Sequence, residues 1–355
     1  MAVHKRKLKP KVIDLFCGIG GLTHGFVRAG FDVIAGIDND KDCEFGYKTN
    51  NNSAFIKKDI ADVSAKELED LYGKDVGLKI LVGCAPCQPF SKLNLNKVTE
   101  KQLQPIEKFA KLIEEIKPEI VSMENVKGLL KNPIFKTFLR TLDKNGYKYS
   151  YGIVDFSDYG VPQKRLRLVL LASRLGEISL LPPTHTDRKV TVREVISMLE
   201  PIKDGQTSKR DSLHQARQLS EKNKKRILAT PLDGGNSRSW NEDLILNCHK
   251  KKTGKTYRGT VYGRMSWDKP SPTMTTQCTG LGNGRYGHPV QNRAISLREA
   301  ARFQTFPDDY KFVEPNKFTH KKLSRFIGNA VPVRIGEIIA KSIRNHLELI
   351  ARINS

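Results

Sequence analysis

The amino-terminal half of the chain alternates short apolar runs with longer amphipathic stretches, the rhythm of strand and helix. Val12-Ile13 leads into Asp14-Leu15-Phe16-Cys17-Gly18-Ile19-Gly20-Gly21, and a helical pattern follows to Ala29. Residues 31–37 read as the next strand, followed by a helix and a short strand at 54–56. Ser64-Ala65-Lys66-Glu67 has the spacing of a capping box and opens a helix that runs to Tyr72. A strand is expected at 79–82 and a helix at 106–116, where Ile106, Phe109, Ala110, Leu112, Ile113 and Ile116 share one side. Strands at 119–123, 148–154 and 168–171 and a helix at 135–142 complete the series. Residues 92–104 are polar without a period and read as a long loop, of a length that points to function. The alternation predicts an α/β fold built on a parallel, doubly wound sheet.

From about residue 181 the rhythm breaks. Residues 182–290 are rich in Pro, Gly, Lys, Arg and Ser/Thr, with short helical pieces such as the one capped at Thr191. Regular patterning resumes near 297, and a last helix from about 334 to 352 carries Ile335, Ile338, Ile339, Ile343, Leu347 and Ile350 as an apolar stripe. The middle therefore reads as a second domain threaded into the first.

Charge narrows the partner. With 61 Lys and Arg against 38 Asp and Glu in 355 residues, the chain carries +23. An excess of that size is the electrostatic footprint of a nucleic-acid binder. No apolar run approaches a membrane span and no secretory leader is visible, so a cytoplasmic protein is expected. The six cysteines show no pairing pattern, and no two histidines stand at ligand spacing, so no metal is expected.

Two stretches carry chemistry. Gly83-Cys84-Ala85-Pro86-Cys87-Gln88-Pro89-Phe90-Ser91 follows the apolar run Ile80-Leu81-Val82, at the strand end where open α/β sheets hold ligands. Pro86 restrains its neighbours, so Cys87 is presented rigidly as a nucleophile; the competing reading is a Cys84–Cys87 redox or zinc pair. In the glycine loop, Gly18 and Gly20 fit a dinucleotide fingerprint, but its third position is Thr23. Asp38 is placed to accept ribose hydroxyls, and Asp59-Ile60 to frame an adenine. Glycines without the pyrophosphate spacing, with an acid at a strand end, fit S-adenosylmethionine.

Taken in order, these motifs resemble the DNA cytosine-5 methyltransferases of bacterial and phage restriction–modification systems. Asp14-Leu15-Phe16-x-Gly18-x-Gly20-Gly21 matches that family's cofactor loop and Pro86-Cys87-Gln88-Pro89-Phe90-Ser91 its nucleophile loop. Glu124-Asn125-Val126 follows a strand, as the family requires. Gln163-Lys164-Arg165-Leu166-Arg167, the run from Arg298 to Asp308, and Gly328-Asn329-Ala330-Val331-Pro332 match the later motifs. The resemblance implies a Rossmann-like, S-adenosylmethionine-dependent domain at 1–180 and 322–355. A smaller, irregular target-recognition domain at 181–321 is inserted before the last helix. It implies Cys87 as the nucleophile on cytosine C6, Glu124 at N3 and N4, and Arg165, with Arg167, at O2. Phe16, Gly18, Gly20, Asp38, Asn39, Asp59, Ile60, Pro86 and Asn329 would hold the cofactor.

The partner implied is double-stranded DNA with one cytosine flipped into the site, since C5 is out of reach inside a duplex. Residues 92–104 would close over the DNA, with Gln88 and Ser91 beside it. Arg238, Arg258, Thr260, Arg264, Gln277, Asn283 and Arg285 are candidates for base or phosphate contact. A monomer without an obligate protein partner, associated with the nucleoid, is expected. The alternative substrate is tRNA, but the Cys-Phe-Thr element of the similar tRNA enzymes is missing: Cys248 is followed by His-Lys and Cys278 by Thr-Gly.

Overall fold

The computed structural model describes residues 9–86, 99–251, 259–314, 317 and 319–353. The chain divides into two compact units: Met1–Asp155 with Leu166–Pro183 and Val333–Ser355, and Phe156–Arg165 with Thr184–Pro332. The second unit thus takes in ten residues before 181 and extends past 321.

The first unit is a seven-stranded sheet. Its strands are β1 (Pro10–Leu15), β2 (Asp32–Asp38), β3 (Ala54–Lys57), β4 (Leu78–Gly83), β5 (Ile120–Val126), β6 (Lys148–Asp155) and β7 (Leu166–Ser173), in the spatial order β3-β2-β1-β4-β5-β7-β6. β1 to β5 are parallel, as the helical crossovers require, but β7 runs antiparallel to both β5 and β6. The sheet is therefore mixed rather than wholly parallel. A parallel return from β6 needs a crossover of a dozen or more residues, and only 156–165 lie between these strands.

Helices α1 (Gly21–Arg28), α2 (Glu44–Asn51), α3 (Ala65–Tyr72), α4 (Glu100–Ile116) and α5 (Pro133–Lys144) connect the strands. The Ser64–Glu67 capping box is present at α3. α4 begins six residues before its apolar stripe, with the Gln102 side chain accepting from the Thr99 N–H at 3.0 Å, so the end of the expected 92–104 loop is helical. Residues 92–98 lie outside the described ones. Fully buried Leu15, Leu81, Phe109, Ile113, Val121 and Phe138 are among the side chains of the main core. Register matters more for function: Leu15 lies opposite Ile37 and Gly83, and Gly83 opposite Met123. The loops after β1, β2 and β4, and Glu124 on β5, therefore emerge level along one sheet edge.

The last helix of the unit packs on α1 through glycine contacts. A Cβ at Gly25 would lie 2.4 Å from the Val333 carbonyl oxygen and 2.6 Å from the Glu337 nitrogen.

In the second unit, α6 (Val192–Ile196), α7 (Glu221–Leu228), α8 (Asn247–Lys250), α9 (Leu297–Phe303) and α10 (His320–Asn329) precede α11 (Val333–Ile353), which belongs to the first. Among the described residues its β pairing is limited to isolated bridges such as Arg264 with Gly287. Buried ionic and polar contacts replace sheet packing. Arg293 grips Glu299 through two bonds of 2.7 and 2.8 Å. Those bonds and the adjacent cation hold the Glu299 carboxyl at about 2 in spite of burial. The Arg298–Asp308 motif is thus largely scaffold.

Candidate functional site

Glu124 occupies β5, opposite Val169 of β7, and is 2 % exposed. The motif it heads lies within the strand end rather than after it. Its Oε2 accepts from the Cys84 thiol, Sγ to Oε2 2.8 Å, and its Oε1 lies 3.3 Å from the Arg167 Nε. Arg167 donates also to the Leu166 carbonyl at 2.9 Å. Asn125, fully buried, donates from Nδ2 to the Ala85 carbonyl at 3.1 Å, while its Oδ1 accepts from the Val126 N–H. The end of β5 thus pins the backbone just before Pro86. Cys87 and the neighbouring Gln88 and Ser91 lie outside the described residues.

The glycine loop reaches its shape through left-handed backbone. Phe16 has φ 63°, Gly18 50° and Gly20 91°. Phe16 accepts that strain with its ring edge-on to Phe109, centroids 6.4 Å apart. Asp38, the last residue of β2, accepts from the Gly18 N–H at 2.9 Å and the Asp40 N–H at 2.8 Å. Asn39 donates to Asp59 at 3.2 Å, so the segments following β2 and β3 are joined; Ile60 is buried beside them. No side chain caps α1 at Gly20, and a Cβ on Gly18 would meet nothing nearer than the Asp38 Oδ2 at 4.0 Å. The loop therefore presents an open face beside an uncapped helix end and two carboxylates.

Thr23 also finds its explanation. It is buried and donates to the Asp14 Oδ2 at 2.6 Å, tying α1 to β1 where a dinucleotide loop would carry glycine. Burial, with Asp38 nearby, pushes the Asp14 carboxyl up to about 7.

In the second unit Arg165 is buried, donating to the Met274 carbonyl at 3.0 Å and to Gln163 at 3.4 Å. Gln163 bonds Gln304 at 2.7 Å, and Gln304 in turn reaches the carbonyls of Ile327 and Ala330. Arg167, ranked second to Arg165 from sequence, is the one that pairs with Glu124. Asn329 ends α10 with its side chain exposed.

The candidates for DNA contact separate clearly. Arg238, Thr260, Gln277 and Asn283 are exposed and Arg285 is half-buried, bonded to the Gly234 carbonyl at 2.8 Å; Arg258 lies outside the described residues. Arg264 leaves the set. It is 1 % exposed, and all five of its N–H groups go to protein acceptors: the carbonyls of Thr230, His288, Gln291 and Ile227 and the Asn292 side chain. Thr260 lies in a turn two residues before Tyr262, whose φ is 58°. The Arg226 guanidinium sits 5.0 Å from the Tyr262 ring centroid and 5.6 Å from that of Trp240. Neither this stack nor the contact of Cys84 with Glu124 was visible from spacing; a polar or thiol group at a strand end beside an acid was the one available signal.

Comparison with known proteins agrees with this geometry. The family model for C-5 cytosine-specific DNA methylases matches residues 10–345. The Type II methylase M.HgiDII of Herpetosiphon aurantiacus is 50 % identical over 341 residues, covering 95 % of this chain and 96 % of that one. The Type II methyltransferase M.PspPI of a Psychrobacter strain is 31 % identical over 343 residues, covering 94 % and 78 %. In fold, a structure described as a prophage-encoded DNA modification methyltransferase of E. coli aligns with TM-score 0.74 at 24 % identity, covering 96 % of this chain and all of that one. A DNMT2 structure from Spodoptera frugiperda aligns with TM-score 0.65 at 17 %, covering 94 % and 99 %.

Proposed function

The chain belongs to the C-5 cytosine-specific DNA methylase family, and from that membership we propose that Cys87, Glu124 and Arg167 carry out methylation of a cytosine flipped out of a specific duplex sequence. S-adenosylmethionine is the methyl donor, and its sulfonium supplies the electrophilic methyl group. The open loop at Phe16, Gly18 and Gly20, the uncapped α1 terminus and the Asp38 and Asp59 carboxylates suit it. Ile60, Asn39 and Pro86 complete the proposed set within the first unit.

Cytosine C5 is a poor nucleophile. Addition of the Cys87 thiolate across C6 turns the ring into an enamine with a nucleophilic C5. The Glu124 carboxyl donates a proton towards N3 through one oxygen and accepts from the N4 amine through the other, offsetting the negative charge that this addition places on the ring. Arg167 lies beside Glu124 and supplies positive charge for O2, while Arg165 serves the packing of the second unit. Loss of the C5 proton and elimination of Cys87 restore the ring. The observation that carries this reading is the buried Glu124 carboxylate, held by Arg167 and Cys84 three residues from Cys87 in sequence.

The second unit reads the sequence, with Arg238, Thr260 and Arg285, together with Arg258, as the contact candidates. By analogy with relatives named Type II methylases, the enzyme protects host DNA from a cognate endonuclease in the cytoplasm, acting on the nucleoid as a monomer. Duplex DNA rather than tRNA is the substrate, because the relatives identical at 50 % and 31 % are Type II enzymes. Bisulfite sequencing of DNA from a host expressing the gene tests this. One recurrent protected cytosine context is expected, and an unmodified genome beside methylated tRNA would overturn it.

A further inference from the structure

We propose that Cys84 is a positioning residue for the reaction, its thiol fixing the plane of the Glu124 carboxyl that meets the cytosine. The inference rests on the role given to Glu124 above. A glutamate reaches its carboxyl through three torsions, and the last is broad, so burial alone does not set which way the two oxygens face. The presentation matters, because one oxygen serves N3 and the other the N4 amine in a single plane.

Three observations place Cys84 for this task. Its Sγ lies 2.8 Å from the Glu124 Oε2. The opposite oxygen, Oε1, faces Arg167 at 3.3 Å but has no hydrogen bond among the described residues, so Arg167 attracts it by charge without a directional bond. The directional contact is therefore the thiol's. Finally, the backbone at 84 is held firmly. Its N–H donates to the Leu15 carbonyl, a Cβ on Gly83 would lie 2.9 Å from that same oxygen, and Asn125 grips the Ala85 carbonyl. A side chain at 84, one residue past the end of β4, thus has a fixed origin from which to reach the acid on β5.

A thiol is a weak donor, so the expected effect is modest and specific to the chemical step. The test compares Cys84→Ala, Cys84→Ser, Glu124→Gln and the Cys84→Ala/Glu124→Gln double variant as full-length enzymes. Single-turnover transfer of a labelled methyl group from S-adenosylmethionine to unmethylated phage DNA is measured beside affinity for S-adenosylhomocysteine. Cys84→Ala should lower the rate of the chemical step roughly three- to tenfold, the loss of one modest hydrogen bond, with KM for DNA and cofactor affinity unchanged. Cys84→Ser, which keeps a donor, should restore the rate to within about twofold. In the Glu124→Gln background the alanine should cost nothing further, because the thiol acts through that carboxyl. An unaffected Cys84→Ala beside a crippled Glu124→Gln overturns this inference alone. So does a serine variant as slow as alanine, or an alanine effect of equal size in both backgrounds. Full activity of Glu124→Gln overturns the reading of Glu124 and this inference with it.

Discussion

Replacing Arg264 by methionine separates a scaffold residue from a base reader. From its type and place in a basic segment, Arg264 belongs with arginines that contact DNA. In the structure its Nε donates to Thr230 at 3.1 Å, Nη1 to His288 at 3.0 Å and Gln291 at 2.7 Å, and Nη2 to Ile227 at 2.8 Å and Asn292 at 2.5 Å. Burial pulls the guanidinium down to about 10, still charged at neutral pH, so these five acceptors are what offset its lost water. Arg264→Met keeps the apolar stem and strands the acceptors. One buried acceptor left unpaired costs about 1–3 kcal/mol, and second lone pairs and entering water recover part of five such losses. We expect about 2–5 kcal/mol of destabilisation, the cost of a few buried acceptors left without a donor. That is a large share of the 5–15 kcal/mol typical of a folded protein, roughly. Urea titration followed by fluorescence measures it, alongside methylation of duplexes changed at single base pairs. A variant within about 1 kcal/mol of wild type that relaxes specificity at one base pair would mean Arg264 is a base reader and return it to the recognition surface.

Three further outcomes follow from the first unit. Asp38→Ala removes the acceptor for the Gly18 and Asp40 N–H groups and the proposed ribose site, so affinity for S-adenosylhomocysteine should fall roughly ten- to a hundredfold. Unchanged calorimetric affinity would place the adenosine elsewhere. The Asp14 carboxyl is raised from 3.8 to about 7, so its contribution to stability is fully present below pH 3.8 and is lost as pH rises through 7, by roughly 4 kcal/mol. Asp14→Asn should therefore gain stability over wild type between pH 4 and pH 8; a constant difference across that range contradicts the burial argument. Gly25→Ala forces a methyl group against α11 and should cost about 1–3 kcal/mol, read from the thermal midpoint, whereas a neutral outcome would mean α1 and α11 can separate.

The strands and helices of the first unit were legible because each carries its own period and its own stop signals, as at Ser64–Glu67 and along α11. The reversal of β7 was not legible, since strand direction depends on what can span 156–165 and not on the strand's own residues. α4 was read six residues short because its first turns carry no apolar stripe. In the site, residue identity pointed to Glu124 and Asp38, whose chemistry is local. It did not show which of Arg165 and Arg167 lies beside Glu124, because that depends on the register of β7 against β5 and not on the residues themselves. Arg264 misled for a related reason: a basic side chain in an irregular segment looks the same in sequence whether it faces phosphate or a cage of carbonyls.

In the proposed reaction the methyl group is transferred while cytosine C6 is bonded to Cys87. Duplex DNA carrying 5-fluorocytosine in the recognition site, incubated with enzyme and S-adenosylmethionine, tests it directly, because fluorine at C5 blocks the elimination that frees the cysteine. A denaturation-resistant adduct should form, map by mass spectrometry to the peptide holding Cys87, and vanish in Cys87→Ser with duplex binding retained. Methylation of ordinary DNA without any such adduct, or an adduct at another residue, would contradict it.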